Sequence, residues 1–217
     1  MTQFRYETHA HTSEASACAT STASEMVQAY YEAGYSGMFI TDHFFNGNSA
    51  VDPSLPWKER VKSFFMGYNN ALEAAEDLDF DVFLGWEYGY DGTEFLTYAL
   101  TEDFIYKNED ILSWSIEHYF DEVHKAGGFI VHAHPFRERF YIKEIRLFTS
   151  YVDAVEVING GNEDAFNVKA KKYAEENHLP QTQGSDSHHV SQILGGGMVF
   201  DQRIRTAKAF IKAISEG

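Results

Sequence analysis

His9 and His11 stand two apart on a segment that reads as extended, FRYETHAHT, so both imidazoles face one side, as when a strand offers two ligands to one metal ion. Residues of the same chemical kind recur down the chain: Asp42 and His43 in TDH, Glu87 in GWE, His132 and His134 in VHAHP, Asn159 in VING, and Asp186, His188 and His189 in GSDSHH. Neutral imidazoles and carboxylates suit Zn²⁺, Fe²⁺ or Mn²⁺, and a carboxylate such as Glu87 can bridge two ions roughly 3.5–4 Å apart. Any one of these histidines, taken alone, is as readily a core or surface residue. Their shared placement is what points to a metal cluster.

That placement emerges from the elements around them. Short β-branched or aromatic runs alternate with helical stretches: strands at Phe4–Thr8, Gly37–Thr41, Val82–Trp86, Phe95–Leu100, Phe129–Val131 and Ala154–Ile158, and a short run before Gly184. Helices are expected over Ser24–Ala33, with Ser24 as N-cap and Gly34 as the stop, and over Trp57–Glu76, Ile111–Ala126, Asp164–Asn177 and Arg203–Ser215. Repeated β/α units follow, and every candidate ligand falls at or just beyond the C-terminal end of a strand. In a β/α barrel those ends share one face, where residues distant in sequence converge.

The 217 residues carry 33 Asp+Glu against 17 Lys+Arg, a formal charge of −16, with 44% hydrophobic residues. Such a chain can bury a sizeable core as one domain, residues 1–217, with no repeat or linker marking a boundary. The acidic balance opposes a groove that tracks the phosphates of a long nucleic acid, and no apolar stretch approaches the ~20 residues of a membrane span. One cysteine excludes an internal disulfide framework, and the start, MTQFRYETHAH, lacks the basic and apolar regions of a signal peptide. A cytoplasmic setting is the expectation; the oligomeric state is left open.

HAHT, TDH, GWE, AHPFR and GSDSH, in that order over about residues 4 to 200, resemble the polymerase-and-histidinol-phosphatase (PHP) superfamily of metal-dependent phosphoesterases. The resemblance implies an α/β fold, a distorted (β/α)7 barrel with a metal site at the C-terminal ends of its strands, and two to three divalent ions (Zn, Fe or Mn). It implies His9, His11, Glu87 and Asp186 as ligands of a first ion, Glu87 and His134 of a second, and His43 and His188 of a third. His134 is preferred to His132 because it directly precedes proline; His132 then supports the site or faces substrate. Asp42 either orients a ligand imidazole or coordinates directly. Asn159 closes DAVEVING, the segment before the last ligand motif, and is expected on the substrate side. Two positions depart from the family pattern. SEASACATST offers Cys18 or Glu14 where many members place an additional ligand, and Tyr88 to Leu112 contains no histidine.

Arg137, three residues after His134, reads as a bidentate clamp on a substrate phosphate, or else as a surface arginine beside Glu138 and Arg139. His118, His124 and His178 fall in or at the ends of helices and are expected to be structural. The glycines at Gly195 to Gly197 read as a turn, since no Lys follows to make a phosphate loop. The expected activity is hydrolysis of a small phosphomonoester by a hydroxide held between metal ions, with Asp186, His188 or His43 passing a proton to the leaving group. A metallohydrolase of a non-phosphate bond and a catalytically weak metal-binding module remain the alternatives.

Overall fold

A computed structural model describes residues 3–193 and 196–216, so Gly195 of the expected glycine turn lies outside the described residues. One sheet holds eight strands in the order β7-β6-β5-β4-β3-β2-β1-β8. They are β1 Phe4–Glu7, β2 Gly37–Ile40, β3 Asp81–Tyr90, β4 Thr93–Tyr98, β5 Phe129–Ala133, β6 Ala154–Asn159, β7 Gln181–Gly184 and β8 Met198–Phe200. The edges approach each other, with Gly197 N–H donating to Gln183 O at 3.0 Å, and the sheet curls into a nearly closed barrel. The α/β barrel expected from the sequence is therefore present. It has eight strands rather than seven, because the three-residue β8 returns antiparallel to β1.

Strict β/α repetition breaks at a second place. β4 runs antiparallel to both β3 and β5. Asp91 and Gly92, both at positive φ, make the tight turn from β3 to β4, the Asp-Gly pairing that such hairpins favour. β3 thus runs on past Glu87 to Tyr90, and Glu87 sits within a strand rather than beyond one.

The helices are α1 Ala23–Glu32, α2 Trp57–Phe64, α3 Met66–Ala75, α4 Glu102–Lys107, α5 Ile116–Lys125, α6 Asp164–Glu176 and α7 Ala207–Glu216. The N-cap of α1 is Thr22, not Ser24: its hydroxyl accepts from Glu25 N while the Glu25 side chain accepts from Thr22 N, a reciprocal capping box. The single helix expected over Trp57–Glu76 is two, interrupted at Phe65.

Strand alternation sorts the side chains. Inside the barrel Tyr6, Phe39, Phe83, Leu96, Tyr98 and Val131 form an apolar floor, joined by Phe210 and Ile214 of α7. Outside, Met38 and Ile40 pack with α1 and α3, Trp86, Phe95 and Ile130 with α5, and Val155 and Val157 with α6. Towards the C-terminal ends of the parallel strands the interior changes from apolar to ionisable, which is where barrel sites are built.

Candidate metal centre

Seven of the expected site residues, His9, His11, Asp42, His43, Glu87, His134 and Asp186, are buried, and His188 is half-buried. Glu87 sits at the centre. Its carboxylate lies 3.2 Å from His9 Nε2, 3.6 Å from His11 Nε2, 2.8 Å from His43 Nδ1 and 3.1 Å from His134 Nε2. Asp186 Oδ1 is 3.5 Å from His9 Nε2 and 3.2 Å from His11 Nε2. Ligand atoms within 4.8 Å of one another form four groups: His9–His11–Asp186, His9–Glu87–His134, His11–His43–His188 and His43–Glu87–Glu94.

The hydrogen bonds behind the imidazoles set their tautomers. His9 Nδ1 lies 2.9 Å from Glu156 Oε1, an acceptor, so Nδ1 carries the proton and the Nε2 lone pair faces the centre. Ser16 Oγ donates to Asp42 Oδ1 at 2.7 Å and accepts from His43 N at 3.0 Å, so His11 Nδ1, 3.2 Å away, donates to it as well. His188 Nδ1 is 2.9 Å from the Asp186 carbonyl. In consequence the Nε2 lone pairs of His9 and His11 face each other at 3.1 Å, an arrangement that a metal cation or a proton between them must relieve.

A second pair agrees. His43 Nδ1 and Glu87 Oε2 are buried and 2.8 Å apart, yet lack hydrogen-bond geometry and any other such partner among the described residues. Divalent ions fit both observations. Without them the cluster must take up protons: burial alone would lower His9 and His43, but Glu156, Asp186 and Glu87 raise His9, and chiefly Glu87 raises His43, well above the ordinary imidazole value. His11 goes the opposite way, held low by burial and by the neighbouring His43 and His188.

Backbone strain aims two of the candidate ligands. Val131 and Ala133 of β5 face the barrel interior and His132 the outside, so regular alternation would send His134 outward too. His134 adopts φ +29° instead and turns in. Asp186 is at φ +55°, the left-handed region that costs a non-glycine residue about 1–3 kcal/mol and persists at functional sites. Gly184 allows a close approach, because a Cβ there would lie 2.5 Å from His9 Cβ and 2.7 Å from Glu156 Oε1.

Several expected roles are revised by these positions. Asp42 is absent from the ligand groups: its carboxylate accepts from Thr12 N, Thr12 Oγ1 and Ser16 Oγ, and it orients His11 through Ser16. His132 does not face substrate. It is fully buried outside the barrel against Phe95, and both ring nitrogens lack partners among the described residues; burial pushes its pKa down to about 3. Asn159 is buried and spent on protein contacts, accepting from Arg137 Nη2 at 2.8 Å and donating to Glu156 Oε2 at 2.8 Å. Glu14 caps α1, accepting from Ala23 N at 3.1 Å. Cys18 lies exposed at the mouth of the site, where burial would raise its thiol but His188 and His43 bring it down to about 6.

Arg137 reaches the same cluster, though its fork is not free. Nη2 donates to Asp186 Oδ2 at 2.5 Å and to Asn159 Oδ1, and Nε donates to Asn162 Oδ1 at 2.8 Å. Nη1 alone has no hydrogen-bond partner among the described residues. The guanidinium lines a cavity of about 530 Å³ with Asn46, Tyr90, Glu94, Tyr141 and His188. His118 packs on Trp114, His124 pairs with Asp153, and His178 follows α6; none lines this cavity.

Two carboxylates escaped the sequence reading. Glu156 lies inside the DAVEVING segment itself and accepts from His134 N at 3.0 Å besides bonding His9 and Asn159. Glu94 sits on β4, 3.5 Å from His134 Nε2 and 3.9 Å from His43 Nδ1. Strand alternation with the inward Leu96 and Tyr98 was the signal available for Glu94.

The same fold is what comparison with solved structures returns. Residues 164–217 match the family model described as PHP-associated. No curated protein matches the sequence. Among solved structures, the chain is similar to a two-domain protein of Bacteroides vulgatus ATCC 8482 containing a predicted PHP-like metal-dependent phosphoesterase, at 17% identity and a TM-score of 0.74 over 98% of this chain. The chain spans 62% of the length of that protein. It is similar to PsfC of Pseudomonas syringae PB-5123, at 17% identity and a TM-score of 0.65 over 97% of this chain and 88% of that one. It is also similar to an amidohydrolase of Chromobacterium violaceum, at 14% identity and a TM-score of 0.64 over 96% of each. At such identities the likeness is one of fold. The family segment at the C-terminal end agrees with the PHP resemblance read from the motifs, and the solved structures agree with the barrel that it implies.

Proposed function

We propose that the chain is a metal-dependent phosphoesterase that hydrolyses a small phosphomonoester. The observation that carries this is the Glu87 carboxylate within 3.6 Å of four imidazoles, one of which, His43, lines a cavity together with Asp186, His188 and Arg137. Divalent ions held by His9, His11, Glu87, His134 and Asp186 would supply the charge that neutralises phosphoryl oxygens and makes water acidic near neutral pH. We favour two such ions, of Mn²⁺, Fe²⁺ or Zn²⁺.

The chain's own residues divide the remaining work. Glu156 and the Asp42–Ser16 pair keep the Nε2 lone pairs of His9 and His11 turned to the centre. Arg137 restrains Asp186 through Nη2 and has Nη1 left to donate to a substrate phosphate. His188 is the least buried imidazole of the cluster; with Nδ1 held by the Asp186 carbonyl, its Nε2 can hand a proton to the leaving alcohol. His43, facing Glu87, is the alternative donor. A chain of charge −16 repels a polynucleotide, whereas a small phosphorylated molecule enters with its charge met locally.

The test is a screen of the metal-loaded protein on phosphomonoesters, phosphodiesters and amides. Turnover of amides with none of any phosphoester would overturn the proposal in favour of a carbonyl-directed metallohydrolase; the Chromobacterium neighbour is described as an amidohydrolase.

A further inference from the structure

The stretch from Tyr88 to Leu112 offers no histidine, yet the structure brings one of its side chains to the centre. We infer that Glu94 is a metal ligand and that, with Glu87, it gives one ion a two-carboxylate environment suited to Mn²⁺ or Fe²⁺ over Zn²⁺. This deepens the metal centre proposed above and stands only if that centre exists.

The position of Glu94 follows from the antiparallel course of β4. Its register partners are Gly89 on β3 and Ala133 on β5, next to His134, so the N-terminal end of β4 lies at the rim where its neighbours present their ligands. Leu96 and Tyr98 point into the barrel, and Glu94 shares their side. Its two oxygens diverge, Oε1 towards His43 Nδ1 at 3.9 Å and Oε2 towards His134 Nε2 at 3.5 Å. Those separations are too long for hydrogen bonds. Two donors each about 2.1 Å from a shared ion lie roughly 3.0–3.4 Å apart, only slightly closer.

A separate observation points to the same spot. His43 Nδ1 and Glu87 Oε2, both buried, face each other at 2.8 Å without hydrogen-bond geometry, and Glu94 completes a three-donor group with them. Two carboxylates offset the charge of one divalent ion where an imidazole in place of Glu94 would leave it half met. Oxygen donors favour Mn²⁺ more than imidazoles do.

The experiment strips and reloads the wild type and the variants Glu94→Ala, Glu94→Gln and Glu94→His with Mn²⁺, alone or against Zn²⁺. Bound metal is counted by mass spectrometry, the Mn²⁺ ions are examined by electron paramagnetic resonance, and circular dichroism confirms folding. The wild type should bind a pair of Mn²⁺ ions with the spectrum of coupled spins. Glu94→Ala should lose one equivalent and show the hyperfine pattern of an isolated ion, with Glu94→Gln as the same-sized control should the alanine variant not fold. Glu94→His should recover the second equivalent while its preference moves towards Zn²⁺ by about tenfold. Alanine and glutamine variants that keep the coupled pair would remove Glu94 from the centre and leave the rest of the metal site standing. A wild type that binds less than one ion would overturn both.

Discussion

Replacing Glu156 by glutamine changes no volume but should turn His9 away from metal. The Glu156 carboxylate takes three donors, His9 Nδ1–H at 2.9 Å on Oε1, and Asn159 Nδ2–H at 2.8 Å and His134 N–H at 3.0 Å on Oε2. An amide has one oxygen and one NH₂, so it cannot accept on both sides. If the amide oxygen meets His9, two buried donors are left facing an NH₂, at about 1–3 kcal/mol each. If it meets Asn159 and His134, the NH₂ donates to His9 Nδ1, the proton moves to Nε2, and the lone pair that faces Glu87 and His11 is lost. The second arrangement is cheaper. Metal affinity should therefore fall about 10- to 100-fold, the usual effect of removing the partner behind a ligating imidazole. Competition for Mn²⁺ against a chelator measures that fall, and ¹⁵N NMR of the metal-free variant, at a pH high enough for a neutral ring, reports the His9 tautomer. Affinity within threefold of wild type, together with a retained Nδ1–H, would show that Glu156 does not set the ligand.

Arg137→Ala should lower kcat/KM about 10²-fold, of order 2–3 kcal/mol for lost charge-assisted contacts, and weaken metal binding because Nη2 no longer restrains Asp186. Arg137→Lys should rescue only part of this, and normal kinetics in the alanine variant would take Arg137 out of the site. His132→Leu should leave kcat/KM unchanged, since the ring sits outside the barrel. Its pKa, about 3 when folded against an ordinary 6.5, means that the unfolded chain binds the proton first, so wild-type stability is lost as pH falls from about 6.5 towards 3. Denaturant melts of chelated protein over that range should show a shallower pH slope for the leucine variant, by up to about 1.4 kcal/mol per unit. Metal binding should release protons at neutral pH, because the metal-free centre holds His9 and His43 well above the ordinary value; affinity then rises with pH. Titrations in buffers of different ionisation enthalpy would detect the release, and none would mean that the imidazoles are already neutral. Metal at about a thousand times its dissociation constant should stabilise the fold by about 4 kcal/mol, and equal melting temperatures with and without chelator would contradict a bound ion.

Residue type and local pattern determined a good deal. Histidine pairs at a spacing of two and aspartate or glutamate at strand ends are local features, and the β/α alternation that brings such ends to one face is written in periodicity. His9, His11, His43, Glu87, His134 and Asp186 are accordingly gathered around one point, as the motifs implied. The short β8 and the reversal of β4 were not legible, because three residues carry no periodicity and strand direction depends on pairing partners far along the chain.

What only the tertiary structure decided was which way individual side chains face and what stands behind them. Spacing treats His132 and His134 alike; a positive φ at His134, held by Glu156 from 22 residues away, puts one inside and the other in the apolar outer layer. Asp42 and Asn159 looked able to meet metal or substrate until Thr12, Ser16, Arg137 and Glu156 were found to occupy their polar atoms. Glu94 and Glu156 are ordinary acidic residues among 33 in this chain; alternation can put Glu94 on the inward side of its strand, but no local feature says that an imidazole meets it there. Burial supplies the reason: a carboxylate inside the barrel must be met by donors or cations, and those arrive from other strands.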